Sequence, residues 1–166
     1  ADRNESRDVD VGKAKQQAQA LYKAGEKSWG TDEATFFGIL STENYAQLQS
    51  VFQEYKAISG HDIEAAIKKE FSHNTCKSLI ALVKCIKNRP GYFAEKIHDS
   101  AKAKHYKELL RLVVSRSEKD MIEIRSEFNR MFGVALEDFI RNISDKKSEV
   151  FKSVLIALII GNNASN

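Results

Sequence analysis

Apolar residues recur along this chain three and four positions apart, which is the period of a helix with one buried face. Ala14, Ala18 and Leu21 share such a face and predict a helix that ends at Gly25. The same pattern predicts four more short helices: one from Thr31, one between Asn44 and Gly60, one around 63–67 and one over 79–86. No stretch shows the two-residue alternation of a strand. The pattern therefore predicts an all-α fold.

The helical pattern occurs twice. A shift of 73 positions carries Phe36 onto Leu109 and Gly60 onto Gly133, with many apolar matches between them. The second copy predicts five further helices, over 92–100, 106–114, 117–131, 135–142 and 148–160. Repetition at such a period is typical of folds built from similar stacked units. We therefore predict two repeats of five short helices each.

The repeats set the expected organisation of the chain. Residues 1–12 are polar, charged and without helical period, which suits a linker or an arm lying on the surface. The first repeat is expected over 13–90 and the second over 91–166. Pro90 marks the boundary, because proline stops the helix before it.

Composition narrows the class of protein. The hydrophobic content of 42% and charged content of 30% are typical of a soluble globular protein. A net charge of +3 gives no electrostatic reason to expect a nucleic acid partner. Cys76 and Cys85 lie on one predicted helix and on opposite faces, so they cannot bond to each other. Free thiols suit a reducing cytosol, so we expect a cytoplasmic protein.

The sequence carries no recognisable catalytic motif. It contains no GxSxG, no HExxH and no GK[ST] phosphate loop. The four histidines show no metal-ligand spacing with the cysteines; we interpret His61, His73, His98 and His105 as isolated surface residues. A protein that is not an enzyme is the expectation.

One loop offers candidate metal chemistry. Residues 25–33, with the sequence GEKSWGTDE, place two glycines between two predicted helices. Glycine tolerates unusual backbone angles, so such a loop can point several carbonyl groups toward one place. Calcium prefers about 6 to 8 oxygens, often with one bidentate carboxylate, and Glu70 is the candidate carboxylate. Simple capping, with Gly25 ending one helix and Thr31 or Asp32 beginning the next, is compatible with this.

The loop and Glu70, which lies forty positions beyond Gly30 (70 − 30), resemble the calcium loop of an annexin repeat. The longer path from Gly25 is typical of the third of the family's usual four repeats. Residues 113–120, VVSRSEKD, resemble the most recognisable motif of the fourth repeat. The resemblance implies the carboxy-terminal half of a four-repeat protein, with its helices packed as a superhelical bundle.

The resemblance also implies a ligand set and a partner. The carbonyl oxygens of Gly25, Ser28 and Gly30, with a bidentate Glu70, would bind calcium. Waters or a lipid phosphate would complete the shell, so that calcium joins the loop to an anionic phospholipid membrane. The protein would then be peripheral at membranes when calcium rises.

Three other residues of this loop carry expectations. The Thr31 carbonyl and Glu33 would hold a second, weaker calcium ion, as minor sites in the family do. Alternatively, Glu33 favours the start of its helix through the helix dipole. Trp29 is the only tryptophan and lies inside the loop rather than on an apolar helical face. Because tryptophan favours the membrane interface, we expect Trp29 to be exposed and to contact lipid.

The corresponding loop of the second repeat departs from this pattern. The 73-position shift places Gly30 on Ala103 and Glu70 on Ile143, so the loop lacks both the glycines and the carboxylate. We expect no strong calcium site there. Asp145 is close enough in sequence to replace the carboxylate only if the loop shifts.

Lysines take the place of the missing calcium ligands. Lys102 and Lys104 make the loop 101–107 basic. They are either solvated surface residues or contacts to lipid phosphate near an anionic membrane. The alternative function is therefore a calcium-independent scaffold or partner-binding protein that uses this loop.

Two expectations concern contacts between parts of the molecule. Arg116 is expected to join a polar channel between repeats and to form a salt bridge. If the chain is half of a longer protein, exposed apolar surface favours self-association or pairing with the missing amino-terminal half.

Overall fold

The computed structural model describes Arg3 and residues 6–26, 32–143 and 149–161. Within these ranges the chain forms nine helices and no strand, so the all-α prediction is confirmed. In chain order the helices are α1 Val11–Glu26, α2 Glu33–Thr42, α3 Tyr45–Ser59, α4 Ile63–Glu70, α5 His73–Lys102, α6 Tyr106–Ser117, α7 Met121–Phe132, α8 Leu136–Arg141 and α9 Glu149–Ile160. None of the helices described is long and apolar enough to cross a membrane.

The chain divides into two compact units, Ala1–Lys87 and Asn88–Asn166. The division falls within α5, where Asn88 has non-helical angles, with φ −156° and ψ 90°. The Asn88 side chain accepts the Gly91 N–H at 3.0 Å and so caps the second part of α5. Pro90 lies in the first turn of that part, where a missing N–H costs nothing. Each unit therefore contains five helical segments, as the repeat pattern predicts.

The core of the first unit lies between α1 and α3, with α2 and α4 packed beside them. Leu21, Phe36 and Tyr55 are fully buried there. Phe36 also meets Phe71 edge to face, with ring centroids 5.1 Å apart. Burying each of these large side chains contributes about 1.5–3 kcal/mol, so the apolar face of each helix decides where it packs.

The core of the second unit joins α6 and α8 to α9. Its aromatic cluster includes His98, whose ring stacks on Phe132 with centroids 4.0 Å apart and planes 6° apart. His98 also stacks on Phe139 at 5.2 Å, and its side chain is only 18% exposed. The interpretation of His98 as an isolated surface histidine is therefore wrong. Its sequence position gave no sign of the aromatic rings that cover it.

Caps mark both ends of α3 and the end of α7. The Asn44 side chain accepts the Gln47 N–H at 2.7 Å and caps α3, as predicted. Gly60 ends α3 with φ +79°, and Gly133, its partner in the repeat alignment, ends α7 with φ +70°. Both glycines adopt the left-handed conformation that most residues avoid.

The start of α7 differs from the prediction. We expected a helix from Ser117, but Ser117 is the last residue of α6, and α7 begins at Met121. The Ser117 hydroxyl donates to the Val114 carbonyl at 3.0 Å, so it closes α6 instead of capping a new helix. The aligned residue of the first unit, Asn44, carries an amide that reaches forward to cap α3.

The segment before α1 is held against α3 by polar contacts. The Asn44 side chain donates to the Asp8 carbonyl at 3.0 Å, and the Gln47 side chain bonds both the N–H and the carbonyl of Asp10, at 2.9 and 3.0 Å. Asn44 and Gln47 are buried. The Asp10 carboxylate accepts the Lys13 N–H at 2.9 Å, so α1 begins at Val11, two residues before the expected start of the first repeat.

Gly60→Ala should destabilise the protein by about 1 kcal/mol, because alanine, unlike glycine, is strained in the left-handed conformation. A Cβ at Gly60 would meet nothing within 4 Å, so the loss would report backbone strain alone. Gly38→Ala is the matched control: it adds a Cβ in open space inside α2 and should stabilise by up to about 1 kcal/mol. Urea unfolding measures the change in the free energy of unfolding for each variant. Equal changes in the two variants would show that the left-handed conformation of Gly60 is not the cause.

Stability should fall in acid partly through Glu137. Arg125 donates to both carboxylate oxygens, at 2.6 and 3.3 Å, and these hydrogen bonds hold the pKa of Glu137 below its ordinary value of 4.5. The ionised form therefore stabilises the fold above pH 4.5, and this contribution is lost as pH falls through the lowered pKa. Unfolding of Glu137→Gln should show a shallower acid dependence than the wild type. Glu123→Gln, which changes an exposed carboxylate in the same unit, is the matched control.

Candidate metal centre

The predicted calcium loop is described at its two ends. Ser28, Trp29, Gly30 and Thr31 lie outside the described residues, so the expectations for them stay predictions. Gly25 is the penultimate residue of α1 and is buried. Glu70, the candidate carboxylate, is the last residue of α4.

The fold brings Gly25 and Glu70 together. A Cβ built on Gly25 would lie 3.6 Å from the Glu70 Cγ and 3.5 Å from the Phe36 Cζ. These residues are 45 positions apart in sequence (70 − 25), and they meet because α1 and α4 pack in one core. Glycine leaves the α1 backbone open toward the Glu70 side chain, whereas a larger residue would stand between them.

The far end of the loop is tied back to α1. The Asp32 N–H donates to the Ala24 carbonyl at 3.1 Å, which closes the loop 25–31 at its base. Of the two predicted caps, Asp32 is the one described: its carboxylate accepts the Thr35 hydroxyl at 2.7 Å and the Thr35 N–H at 3.1 Å. These two hydrogen bonds lower the pKa of Asp32, and the bond from the Thr35 hydroxyl has the larger effect. Glu33 follows in the first turn of α2 and is exposed.

Electrostatics at Glu70 favour a cation. The ends of α1 and α4 both lie here, and helix C-termini carry partial negative charge. A carboxylate with only 14% of its side chain exposed adds a full negative charge to these ends. Lys69 approaches Glu70 at 3.7 Å, but its side chain is 71% exposed and screened by water. Among the described residues no group of three or more His, Cys, Asp or Glu side chains is placed to hold a metal.

Comparison with known proteins identifies the fold. The Annexin family model matches residues 16–82 and 92–158, which together cover most of the chain. The chain belongs to the annexin family. The resemblance to annexins that the sequence predicts is confirmed by this match.

Individual relatives show the extent of the match. The chain is 43% identical over 165 residues to mouse "Annexin A4", covering 98% of this chain and 51% of that protein. It superposes on the solved structure "ANNEXIN III" with a TM-score of 0.86 and 39% identity, over 95% of this chain and 48% of that one. A calcium-bound annexin (Sm)1 matches with a TM-score of 0.75 and 25% identity, over 91% and 40% of the two chains. The chain thus spans about half the length of mouse annexin A4.

The loop of the second annexin repeat is closed by its own hydrogen bonds. At the end of α5 the His105 N–H donates to the Ser100 carbonyl at 2.8 Å, and the Lys104 N–H to the Ala101 carbonyl at 3.1 Å. This is a Schellman motif, in which one residue takes left-handed angles. Lys104 takes that position with φ +59°, which costs about 1 kcal/mol relative to glycine. The last carbonyls of α5 are therefore engaged within the loop.

A cleft lies beside this loop. It has a volume of about 240 Å³ and is lined by Ala101, Lys102, Lys104, Phe139, Asn142 and Ile143. Ile143 is the residue that the repeat alignment places on Glu70. Sequence reasoning singled out the two lysines but missed Phe139 and Asn142. The alignment contained a signal for Asn142, because it falls on Lys69, beside the position of the carboxylate.

Arg116 forms an ion pair within its own annexin repeat. Its Nε donates to one carboxylate oxygen of Asp120 at 2.7 Å, and a terminal nitrogen contacts the other oxygen. The guanidinium also lies over the Phe93 ring, 4.4 Å from the centroid. Its expected place in a channel between repeats stays a prediction. In the first repeat the aligned residue, Glu43, pairs instead with Lys13 at 2.8 Å.

Proposed function

We propose that this annexin chain binds calcium at the loop of its first repeat and uses the ion to attach to anionic phospholipid membranes. The ligands are the carbonyl oxygens of Gly25, Ser28 and Gly30 with the carboxylate of Glu70. The observation that carries the proposal is the close approach of Glu70 to the backbone at Gly25. Carboxylate and carbonyl oxygens are the ligands that calcium prefers.

The charge at this position supports the ion. The Glu70 carboxylate lies where two helix C-termini place partial negative charge, so a divalent cation relieves the repulsion. Carbonyl ligands are neutral, so one carboxylate leaves the bound ion with net positive charge. That charge can attract a lipid phosphate as a further ligand. The calcium-bound annexin (Sm)1 is a relative of known structure that holds this ion.

Calcium and lipid should bind cooperatively in this arrangement. A phosphate oxygen that completes the calcium shell strengthens ion binding, and the ion in turn strengthens lipid binding. Linkage makes the two effects equal in free energy. The protein would then be peripheral at the membrane and held there while calcium is present. Thr31 and Glu33 would provide the weaker second site, with the exposed Glu33 as its carboxylate.

Glu70→Gln should abolish most calcium-dependent binding, because glutamine keeps the shape of the side chain but removes its charge. The calcium concentration needed for half-maximal sedimentation with phosphatidylserine vesicles should rise roughly tenfold or more. Glu149→Gln removes a carboxylate from a side chain that is 84% exposed in the second repeat and is the matched control. Its binding curve should overlay that of the wild type.

Two results would count against the proposal. Calcium-dependent sedimentation that survives in Glu70→Gln would move the site elsewhere. An equal loss of calcium-dependent binding in both variants would also contradict it, because Glu149 is not a ligand of the proposed site. Far-ultraviolet circular dichroism and thermal unfolding of each variant establish that the fold is intact.

Trp29 provides an internal reporter of the same event. It is the only tryptophan of the chain, so fluorescence emission reports this loop alone. Calcium together with phosphatidylserine vesicles should shift the emission to shorter wavelength, because the indole moves from water to the headgroup region. Calcium alone, vesicles alone, or Glu70→Gln with both should give no comparable shift. Unshifted emission from protein that sediments with vesicles would exclude contact between Trp29 and lipid.

A further inference from the structure

We propose that the cleft beside Lys102 and Lys104 in the second repeat is a phosphate site that works without calcium. The site is separate from the calcium loop of the first repeat. It extends the proposed function, because one chain would then bind anionic surfaces through one site that depends on calcium and another that does not.

The first argument is the shape and lining of the cleft. Its volume of about 240 Å³ is below the roughly 300–1,000 Å³ of pockets that hold drug-sized ligands. A phosphate group with a small substituent matches that size. Lys102, Lys104 and the Asn142 amide supply hydrogen-bond donors, while Phe139 and Ile143 form an apolar wall. The chemistry suits a phosphate ester, with its oxygens toward the lysines and its carbon atoms toward the wall.

The second argument compares charge between the repeats. In the first repeat a calcium ion and the Glu70 carboxylate together carry a charge of +1. In the second repeat the residue aligned with Glu70 is Ile143, which is neutral, and the cleft contains two lysines. The first repeat would obtain its positive charge from a bound calcium ion, whereas in the second repeat the lysine side chains carry it. A lysine binds phosphate as a compact point charge.

The third argument is that the lysines are available. Both side chains are exposed, and within the described ranges neither forms an ion pair. Nearby charges are engaged elsewhere: Arg141 contacts Asp138, and the Lys152 ammonium donates to the Arg141 carbonyl at 3.3 Å. Neither lysine is therefore neutralised by a described side chain.

The fourth argument is the placement of Lys104. Its backbone is fixed in the left-handed conformation by the hydrogen bonds at the end of α5. Glycine would take this position without strain, yet the chain has a lysine here, and this residue lines the cleft. The ends of α5 and α8 meet the cleft with partial negative charge, which the lysines offset. The ammonium groups would then offset the helix ends and attract a phosphate, the part proposed for calcium in the first repeat.

The test measures binding of the full chain in the presence of chelator. The probe is vesicles of phosphatidylcholine containing phosphatidylserine, at low ionic strength, with pure phosphatidylcholine as the neutral surface. Lys102→Glu/Lys104→Glu should lower the apparent affinity at least about tenfold, since each lysine near an anionic surface contributes to binding. Lys15→Glu/Lys119→Glu changes net charge equally at exposed lysines that lie outside the loop 101–107 and do not line the cleft. This control should lose no more than about twofold.

Lys104→Gly protects the test against misfolding. Glycine is favoured at φ +59°, so this variant should be at least as stable as the wild type and still bind more weakly. Undiminished binding of Lys104→Gly together with the double variant would overturn the proposal. Equal losses in the cleft and control double variants would also overturn it, because they would show diffuse electrostatic attraction.

A second probe separates the two sources of phosphate. Sodium phosphate, compared with sodium chloride at the same ionic strength, should displace wild-type protein from the vesicles if the cleft accepts a free phosphate. Absence of selective displacement, with cleft-dependent vesicle binding retained, would assign the site to the lipid headgroup. No binding of the wild type to either probe would refute the site.

The outcome is independent of the calcium proposal. Glu70→Gln should leave calcium-free binding unchanged, whereas the cleft variant should keep the calcium-dependent increment of the first repeat. Failure of one site therefore leaves the other measurable.

Discussion

A helix that ends leaves carbonyl oxygens without partners, and this constraint governs the functional chemistry of the chain. Gly60 ends its helix by adopting left-handed angles. Arg3 reaches back to donate to the Leu40 carbonyl at 2.7 Å, near the end of α2. Gln49 donates to the Ile86 carbonyl at 2.7 Å, just before the break in α5. The end of α1 differs from these, because the buried Gly25 meets the side chain of an acidic residue, Glu70, there.

The two repeats place different residues at corresponding positions of one scaffold. In both, a loop follows the first helix of the unit, and the last residues of the fourth helix lie near its base. The first repeat combines Gly25 with Glu70, an arrangement suited to a divalent cation. The second combines lysines with Ile143 around a cleft, an arrangement suited to an anion. The helices keep their packing through this change, because each unit has its own buried apolar cluster.

The sequence was sufficient for the fold, because apolar spacing and turn glycines are local signals that agree with one another. Asn44 and Gly60 marked the limits of α3 for this reason. Contacts between distant residues were less accessible. Nothing in the spacing of His98 indicated that Phe132 would cover its ring. The sequence around Ser117 predicted the start of a helix, but Ser117 is the last residue of one. The approach of Gly25 to Glu70 was expected only through the resemblance to annexins, since many loops carry a glycine without a carboxylate nearby.

The polar contacts of the arm bear on where the first unit starts. Asn44, which caps α3, and Gln47 in its first turn are buried, and most of the groups that satisfy their side chains belong to residues 6–10. A buried amide without a partner costs about 1–3 kcal/mol. A recombinant first unit cut at the start of α1 would remove most of these partners and expose the two amides to water. The physical edge of the unit therefore lies upstream of its first helix, among residues whose composition reads as a linker.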